Sequence, residues 1–212
     1  MKEKLIKTQL NAHFIFNSLN AIEHYITINE KELSLKYLSM FGKLVRFHLE
    51  NMDKPEVNLR EELEMLTLYL KLQKLRYEKK LLYEFKVEDE LFDSDHLIPR
   101  NFIGALIENI LEMEVMKQSI PVWLNIDVKQ LGNGIQVTLQ YNTQVGKGRR
   151  ISESYRKNFP HWEEQVELIN SKKRRNFKGD SGIEFKSSIK IPFSNVVLFI
   201  PFQDIHDQTE LS

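Results

Sequence analysis

Large apolar residues recur at steps of three and four through the first fifty positions. Ile15, Leu19, Ile22 and Ile26 follow that spacing, and neither proline nor glycine interrupts residues 2–30. This is the period of a helix with one apolar side. Asn29 and Glu30 break it. A second run, residues 31–52, carries Leu33, Tyr37, Phe41, Leu44 and His48 along one side; Gly42 weakens it slightly and Pro55 closes it. Two long amphipathic helices with a short link predict an antiparallel hairpin. One hairpin cannot bury both apolar faces alone, whereas two hairpins paired as a four-helix bundle can. A homodimer is therefore expected.

The pattern changes after Pro55. Asn58 is placed to cap a third helix, through Leu63, Leu66 and Leu70 to about Lys80. Glu61 and Glu62 fall in its first turns, where the helix dipole favours negative charge. Residues 82–88 alternate like a half-buried strand. Pro99 is expected to open a fourth helix, through Phe102, Leu106, Ile110 and Met113. Residues 121–128 and 134–141 alternate again, on either side of the hairpin turn Leu131-Gly132-Asn133-Gly134. A helix is expected over 160–172, and strands over 187–192 and 195–201. The fold class is α+β: an N-terminal helical hairpin, then an α/β sandwich with helices on one face of a mixed sheet. Trp123 and Trp162 are expected in the core.

Composition narrows the function. Thirty basic residues balance thirty acidic ones, so net charge gives no reason to seek nucleic acid or an anionic membrane. Lys172-Lys173-Arg174-Arg175 reads as a solvated helix end, because no aromatic beyond Phe177 accompanies it. Asp93-Ser94-Asp95-His96 reads as a solvated loop before a helix, not a metal site. The absence of cysteine excludes disulfides and thiolate metal sites. No apolar run approaches the roughly 20 residues that span a bilayer, and Met1-Lys2-Glu3-Lys4 has no signal-peptide character. The expectation is a cytoplasmic region of a longer inner-membrane sensor protein. Any membrane contact would run through a sensor segment outside this chain.

The chemistry concentrates at Gln9-Leu10-Asn11-Ala12-His13-Phe14-Ile15-Phe16-Asn17-Ser18-Leu19-Asn20. One imidazole is flanked by two phenylalanines and surrounded by four amide side chains. A core helix has no reason to collect so many amides; an imidazole presented to a phosphate does. The passage resembles the phospho-acceptor box of the LytS-like sensor histidine kinases, Gln-Ile-Asn-Pro-His-Phe-Leu-Phe-Asn-Ser/Thr-Leu-Asn, with Ala12 at the usual proline. The likeness continues in order. Val57-Asn58-Leu59-Arg60-Glu61-Glu62-Leu63 and Tyr69-Leu70-Lys71-Leu72-Gln73-Lys74-Leu75-Arg76-Tyr77 are similar to the family's link to its ATPase domain. Ile98-Pro99 and Leu106-Ile107-Glu108-Asn109 resemble the approach to the N box of the gyrase, heat-shock, histidine-kinase and mismatch-repair (GHKL) ATPases. Ile189-Lys190-Ile191-Pro192 resembles the strand that closes the catalytic domain.

The resemblance implies a dimerisation and phospho-acceptor hairpin over residues 1–56. It also implies a GHKL-like catalytic domain over 57–212, with an added C-terminal edge strand or docking tail. It makes His13 the phospho-acceptor, with Asn17 beside it in the catalytic set. Glu108, Asn109, Asn142, Gly146 and Gly148 would serve the cofactor Mg-ATP, with Asn109 the metal ligand. The implied partners are a second copy of the chain, or an active kinase as a heterodimer, and the receiver domain of a response regulator. A neutral imidazole would attack the γ-phosphorus, magnesium would take the asparagine carbonyl, and glycines would let backbone approach phosphate.

Three positions and one missing motif depart from the family pattern. Ile110 replaces a small residue after the N-box asparagine, where crowding is expected. Glu112 stands where a lysine is usual. Tyr141 stands where an aspartate reads the adenine amino group. The second glycine box is missing. A carboxylate near a triphosphate costs on the order of a few kcal/mol at an effective dielectric near ~20. Three readings follow: an ATP-dependent transmitter that phosphorylates His13, a pseudokinase scaffold phosphorylated in trans, and a plain helical adaptor.

Overall fold

The link between the first two helices turns on Asn29, whose φ of 61° lies in the left-handed region that asparagine tolerates. It joins α1 (Ala12–Thr27) to α2 (Lys31–Glu50) in the expected antiparallel hairpin. The structure is a computed structural model. It describes residues 12–114, 120–142, 170, 184–190 and 193–202, without the side chains of 12, 13, 109, 113, 114, 184–190, 193 and 194. Residue Asn170 is helical, but the rest of the helix expected over 160–172, with Trp162, lies outside the described residues.

The inward face of α1 differs from the expected one. Phe14, Ser18, Ile22 and Tyr25 are buried, whereas Leu19 is 48% and Ile26 63% exposed. Of the stripe Ile15, Leu19, Ile22 and Ile26, only Ile22 is fully inside. Both sides of this helix carry large apolar residues. Small Ser18 and Ala21 interrupt the inward stripe and hide it from a count of large side chains. On α2 the expected side is the inward one: Tyr37 and Leu44 are buried, and Leu33, Phe41 and His48 are half-buried. The helix stops at Glu50, five residues before Pro55, where Asn51 folds both its backbone N–H and its amide onto the Phe47 carbonyl.

The third helix, α3 (Leu59–Tyr77), begins as expected. The Asn58 side chain accepts from Arg60 N at 2.8 Å. It ends at Glu78, with φ 48°, and the Lys74 ammonium donates to the Glu78 and Leu81 carbonyls at 2.7 Å each. Leu59, Leu63, Leu66, Tyr69, Leu70 and Leu72 are all buried. No single narrow stripe could bury so many; α3 is covered by the hairpin and by the sheet together.

Two short strands were not expected. Residues β1 (Glu56–Asn58) and β3 (Leu97–Pro99) pair antiparallel, with Val57 opposite Ile98. Pro99 therefore ends a strand instead of opening a helix, and α4 runs from Phe102 to Glu114. Three residues are too few for alternation to show, and a two-stranded ribbon tolerates proline because each strand is an edge.

The main sheet holds β2 (Leu81–Val87), β4 (Val122–Gln130), β5 (Gly134–Asn142), β6 (Glu184–Lys190) and β7 (Phe193–Pro201), in the order β2-β4-β5-β7-β6. β2 runs parallel to β4 and the other pairs are antiparallel, so the sheet is mixed as expected. Val122, Leu124, Ile126 and Val128 alternate inward, as do Ile135, Val137, Leu139 and Tyr141, and they join α3 and α4 in one core. Trp123 falls on the alternate positions and is only half-buried, which corrects its assignment to the core. β7 is not an added edge strand; it is interior, with β6 outside it. Phe202, just past β7, stacks on His96 with ring centroids 3.6 Å apart. The loop at 93–96 thus has a packing role.

Gly134 shows how tightly β5 and β7 approach. A Cβ there would meet the Ile200 carbonyl at 2.5 Å and the Phe199 ring at 2.8 Å. Backbone cannot move aside cheaply, so Gly134→Ala is expected to cost roughly 1–3 kcal/mol, the range for overpacking. Thermal unfolding checks this; an unchanged melting temperature would contradict the close approach.

Candidate functional site

The acceptor box lies on α1, with His13 in the first described turn. Its neighbour Phe14 is 3% exposed, and its ring lies 5.4 Å from Tyr69 on α3 and 6.1 Å from Phe41 on α2. Asn17, one turn after His13, is half-buried. Its amide nitrogen is sealed from solvent with no hydrogen-bond partner among the described residues. A buried amide left so costs about 1–3 kcal/mol.

Phe14 also lines a cleft between the hairpin and α3/α4, along with Leu44, His48, Glu62, Tyr69 and Glu108. The cleft therefore places the residue after His13 against the helix that carries the Glu108-Asn109 pair. Glu108 is half-buried on α4; Asn109 follows it, its side chain outside the described residues.

The polar end of the cleft is built on Glu62. Sequence reasoning placed this carboxylate at the start of its own helix, in the field of that helix dipole. The structure turns it inward, 3% exposed, to the start of a different helix. Its Oε2 accepts from Asn101 N at 3.1 Å, and the Gly104 N–H donates to it as well. These donors stand at the start of α4, where a helix leaves its first N–H groups unpaired. Asn101 takes a left-handed φ of 52°, and a Cβ at Gly104 would meet the Asn101 Oδ1 at 2.5 Å. Burial pushes the Glu62 pKa up to about 7, against the pull of the two backbone donors and of Arg100.

Two side chains tie this corner to the hairpin. Arg100 donates from Nε to the Lys54 carbonyl at 3.0 Å and from Nη2 to the Met52 carbonyl at 3.3 Å, just past α2. His48 on α2 has Nδ1 2.9 Å from the Leu44 carbonyl, and its ring is hydrogen-bonded to the Asn101 side chain. Burial lowers the His48 pKa, with the Arg100 charge acting in the same direction.

The nucleotide residues fare unevenly. Asn142, the last residue of β5, spends both ends of its amide on backbone: Oδ1 accepts from Trp123 N at 2.6 Å and Nδ2 donates to the Pro121 carbonyl at 3.0 Å. It clamps the end of β5 to the start of β4. Tyr141, at the expected adenine aspartate, is 2% exposed. Ile110 is 1% exposed, its bulk absorbed by the core. Gly146 and Gly148 lie outside the described residues. The structure thus brings together Phe14, Glu62 and Glu108, and leaves Asn142 apart from them. Sequence reasoning missed Glu62, His48, Arg100 and Asn101 as one group. The available signal was the match of Glu62 to the glutamate of the family's linker motif.

Known proteins share this arrangement of sequence over part of the chain. A family model described as Histidine kinase matches residues 1–81. The sensor histidine kinase YesM of Bacillus subtilis is 27% identical over 151 residues, 71% of this chain and 26% of that protein. The sensor protein LytS of Staphylococcus epidermidis is 26% identical over 141 residues, 66% of this chain and 23% of that protein. The chain thus spans about a quarter of the length of these relatives. The solved structure of the Acinetobacter baumannii histidine kinase AdeS aligns over 91% of this chain and 99% of that one, with 9% identity and a TM-score of 0.49. Over these matched stretches the chain is similar to sensor histidine kinases, the LytS-like ones among them. No described helix is long and apolar enough to cross a membrane.

The raised pKa of Glu62 has a definite sign. The folded state holds the proton more tightly than the unfolded chain, whose carboxyl titrates near 4.5. The stability it contributes is therefore greatest at low pH and is lost as pH rises from about 4.5 through about 7. Wild-type stability relative to Glu62→Gln should fall by about 3 kcal/mol across that window. Urea unfolding at a series of pH values measures it; a difference that stays flat with pH would contradict the buried placement.

Proposed function

We propose that this chain is the transmitter region of a two-component sensor kinase. His13 receives a phosphoryl group that originates on ATP and passes it to an aspartate on a response-regulator receiver domain. The observation that carries the reading is the histidine-kinase match over residues 1–81, which spans the whole acceptor box and the hairpin that presents it. The imidazole must be neutral to act as nucleophile. Asn17, one turn along α1 from His13, has an amide nitrogen without a hydrogen-bond partner among the described residues, which supports a role in orienting what reaches His13.

The reading includes a homodimer. Leu35, Leu38, Gly42, Val45, Leu49 and Met52 recur at steps of three and four along α2, the spacing of a helix–helix seam. Leu35 is 58%, Leu38 49% and Leu49 61% exposed, and Leu19 and Ile26 are exposed on α1. Fully burying one such side chain is worth roughly 1.5–3 kcal/mol. A charge at Leu38, on the open side of α2, should therefore weaken self-association while sparing the fold. Sedimentation of Leu38→Lys at several concentrations is expected to shift toward monomer with an unchanged far-UV spectrum. An unaltered dimer would count against this seam.

The nucleotide half fits ATP incompletely. Glu108 and Asn109 occupy the N-box positions, but Asn142 is committed to backbone and Tyr141 is enclosed by the core where an adenine acceptor is required. The Tyr141 enclosure favours a second reading, in which an active kinase pairs with this chain and phosphorylates His13 in trans. Incubation with γ-labelled Mg-ATP, alone and with an active LytS-like kinase, separates the two. The first reading expects label in the chain alone, the second only in the mixture, and both expect none in His13→Gln. Equal label in wild type and His13→Gln would end both.

A further inference from the structure

We propose that Glu62 is a positioning residue, which holds the N-terminus of α4, and with it the Glu108-Asn109 pair, in register with the histidine-bearing hairpin. It rests on the transmitter reading only for what that register is used for. The geometry itself is independent. Asn101 N and Gly104 N both donate to the Glu62 carboxylate. The same Asn101 meets His48 of α2 through its side chain, and Arg100 next to it grips the Met52 and Lys54 carbonyls. Arg100 N also donates to the Pro55 carbonyl at 3.1 Å. Linker helix, hairpin end and N-box helix thus converge on a few side chains. The packing is close, since a methyl group at Gly104 would meet the Asn101 Oδ1 at 2.5 Å and displace that side chain.

The groups facing Glu62 are few. His48 approaches from α2, Tyr69 from α3, Arg100 from the link after β3, and Glu108 from α4, while α1 contributes only the apolar Phe14 to the same cleft. Asp53 lies beyond, acting on Arg100. In the neutral state the carboxyl still accepts from the helix start without the penalty of a buried charge. Ionised, it gains from opening the cleft to water. The corner is therefore held firmly at low pH and loosens as the carboxyl ionises. Loosening frees the helix start that precedes the N box, and the hairpin end with it.

The test is hydrogen exchange of the α4 amides in the full chain, as protection factors corrected for intrinsic rate, between pH 6 and 8. In wild type, protection at Ala105 and Leu106 should fall by at least ~10-fold with rising pH, one unit of linkage. Glu62→Gln keeps an acceptor oxygen without the charge and should stay protected throughout. Glu62→Ala leaves two N–H groups unpaired and should lose protection at both ends of the range. Arg100→Gln removes a charge that favours the carboxylate and should move the wild-type midpoint upward, which keeps the test open if the alanine variant fails to fold. Wild-type protection in Glu62→Ala, a surviving pH dependence in Glu62→Gln, or an unmoved midpoint in Arg100→Gln would overturn the proposal. Labelling of His13 is followed in parallel, with its pH dependence expected to vanish in Glu62→Gln. Absence of label in wild type, both alone and with an active LytS-like kinase present, defeats the transmitter reading and leaves the exchange result to decide on Glu62.

Discussion

The structure depends on α3 being covered from two sides. Its residues Leu63, Leu70 and Leu72 are fully buried, and Leu70 and Leu72, two positions apart, lie on different faces of the helix. The hairpin supplies one cover through Phe14 and Tyr25, whose hydroxyl donates to the Leu75 carbonyl at 2.8 Å. The sheet supplies the other. Without the hairpin, α3 would expose a broad apolar strip; without the sheet, the hairpin would have nothing rigid beneath it. The helix that carries His13 and the sheet layer are joined through this one element. That is why the residue beside His13 ends up in the same cleft as Glu108.

The polar corner at the start of α4 is costly by comparison. Burying a carboxylate works against stability even when two N–H donors and a guanidinium compensate it in part. An apolar side chain of similar shape would hold the helices together with less penalty, but it would not satisfy the unpaired N–H groups of α4 or respond to its surroundings. Buried ionisable groups held in this way concentrate where a protein needs a part placed or released. Glu62 sits at such a boundary, between the hairpin that carries His13 and the helix that carries Glu108 and Asn109.

Much of the fold was legible in the sequence. The hairpin, the Asn58 cap, the alternating strands and the turn at Gly132 follow from local spacing and local chemistry. The errors have a common cause. The inward face of α1 was misplaced because Ser18 and Ala21 are small; the pairing of Val57 with Ile98 was missed because three-residue strands show no period. Pro99 was taken for a helix start, although its strand role depends on a partner forty residues away. The C-terminal strand was assigned to the edge because its neighbours are set by topology, not by its own composition. The histidine motif stood out in the sequence because four amides cluster around one imidazole. The Glu62 corner was not, because its members lie at positions 48, 62, 100 and 101 and only the fold brings them together.

The central claim is that His13 carries the phosphoryl group. Phosphorus NMR of the chain after exposure to Mg-ATP, with an active LytS-like kinase present, reads the bond directly. The account predicts a single phosphoramidate resonance that acid removes and base does not, assigned to the peptide containing His13. A resonance with the acid stability of a phosphoester, or one assigned to any other residue, would contradict it.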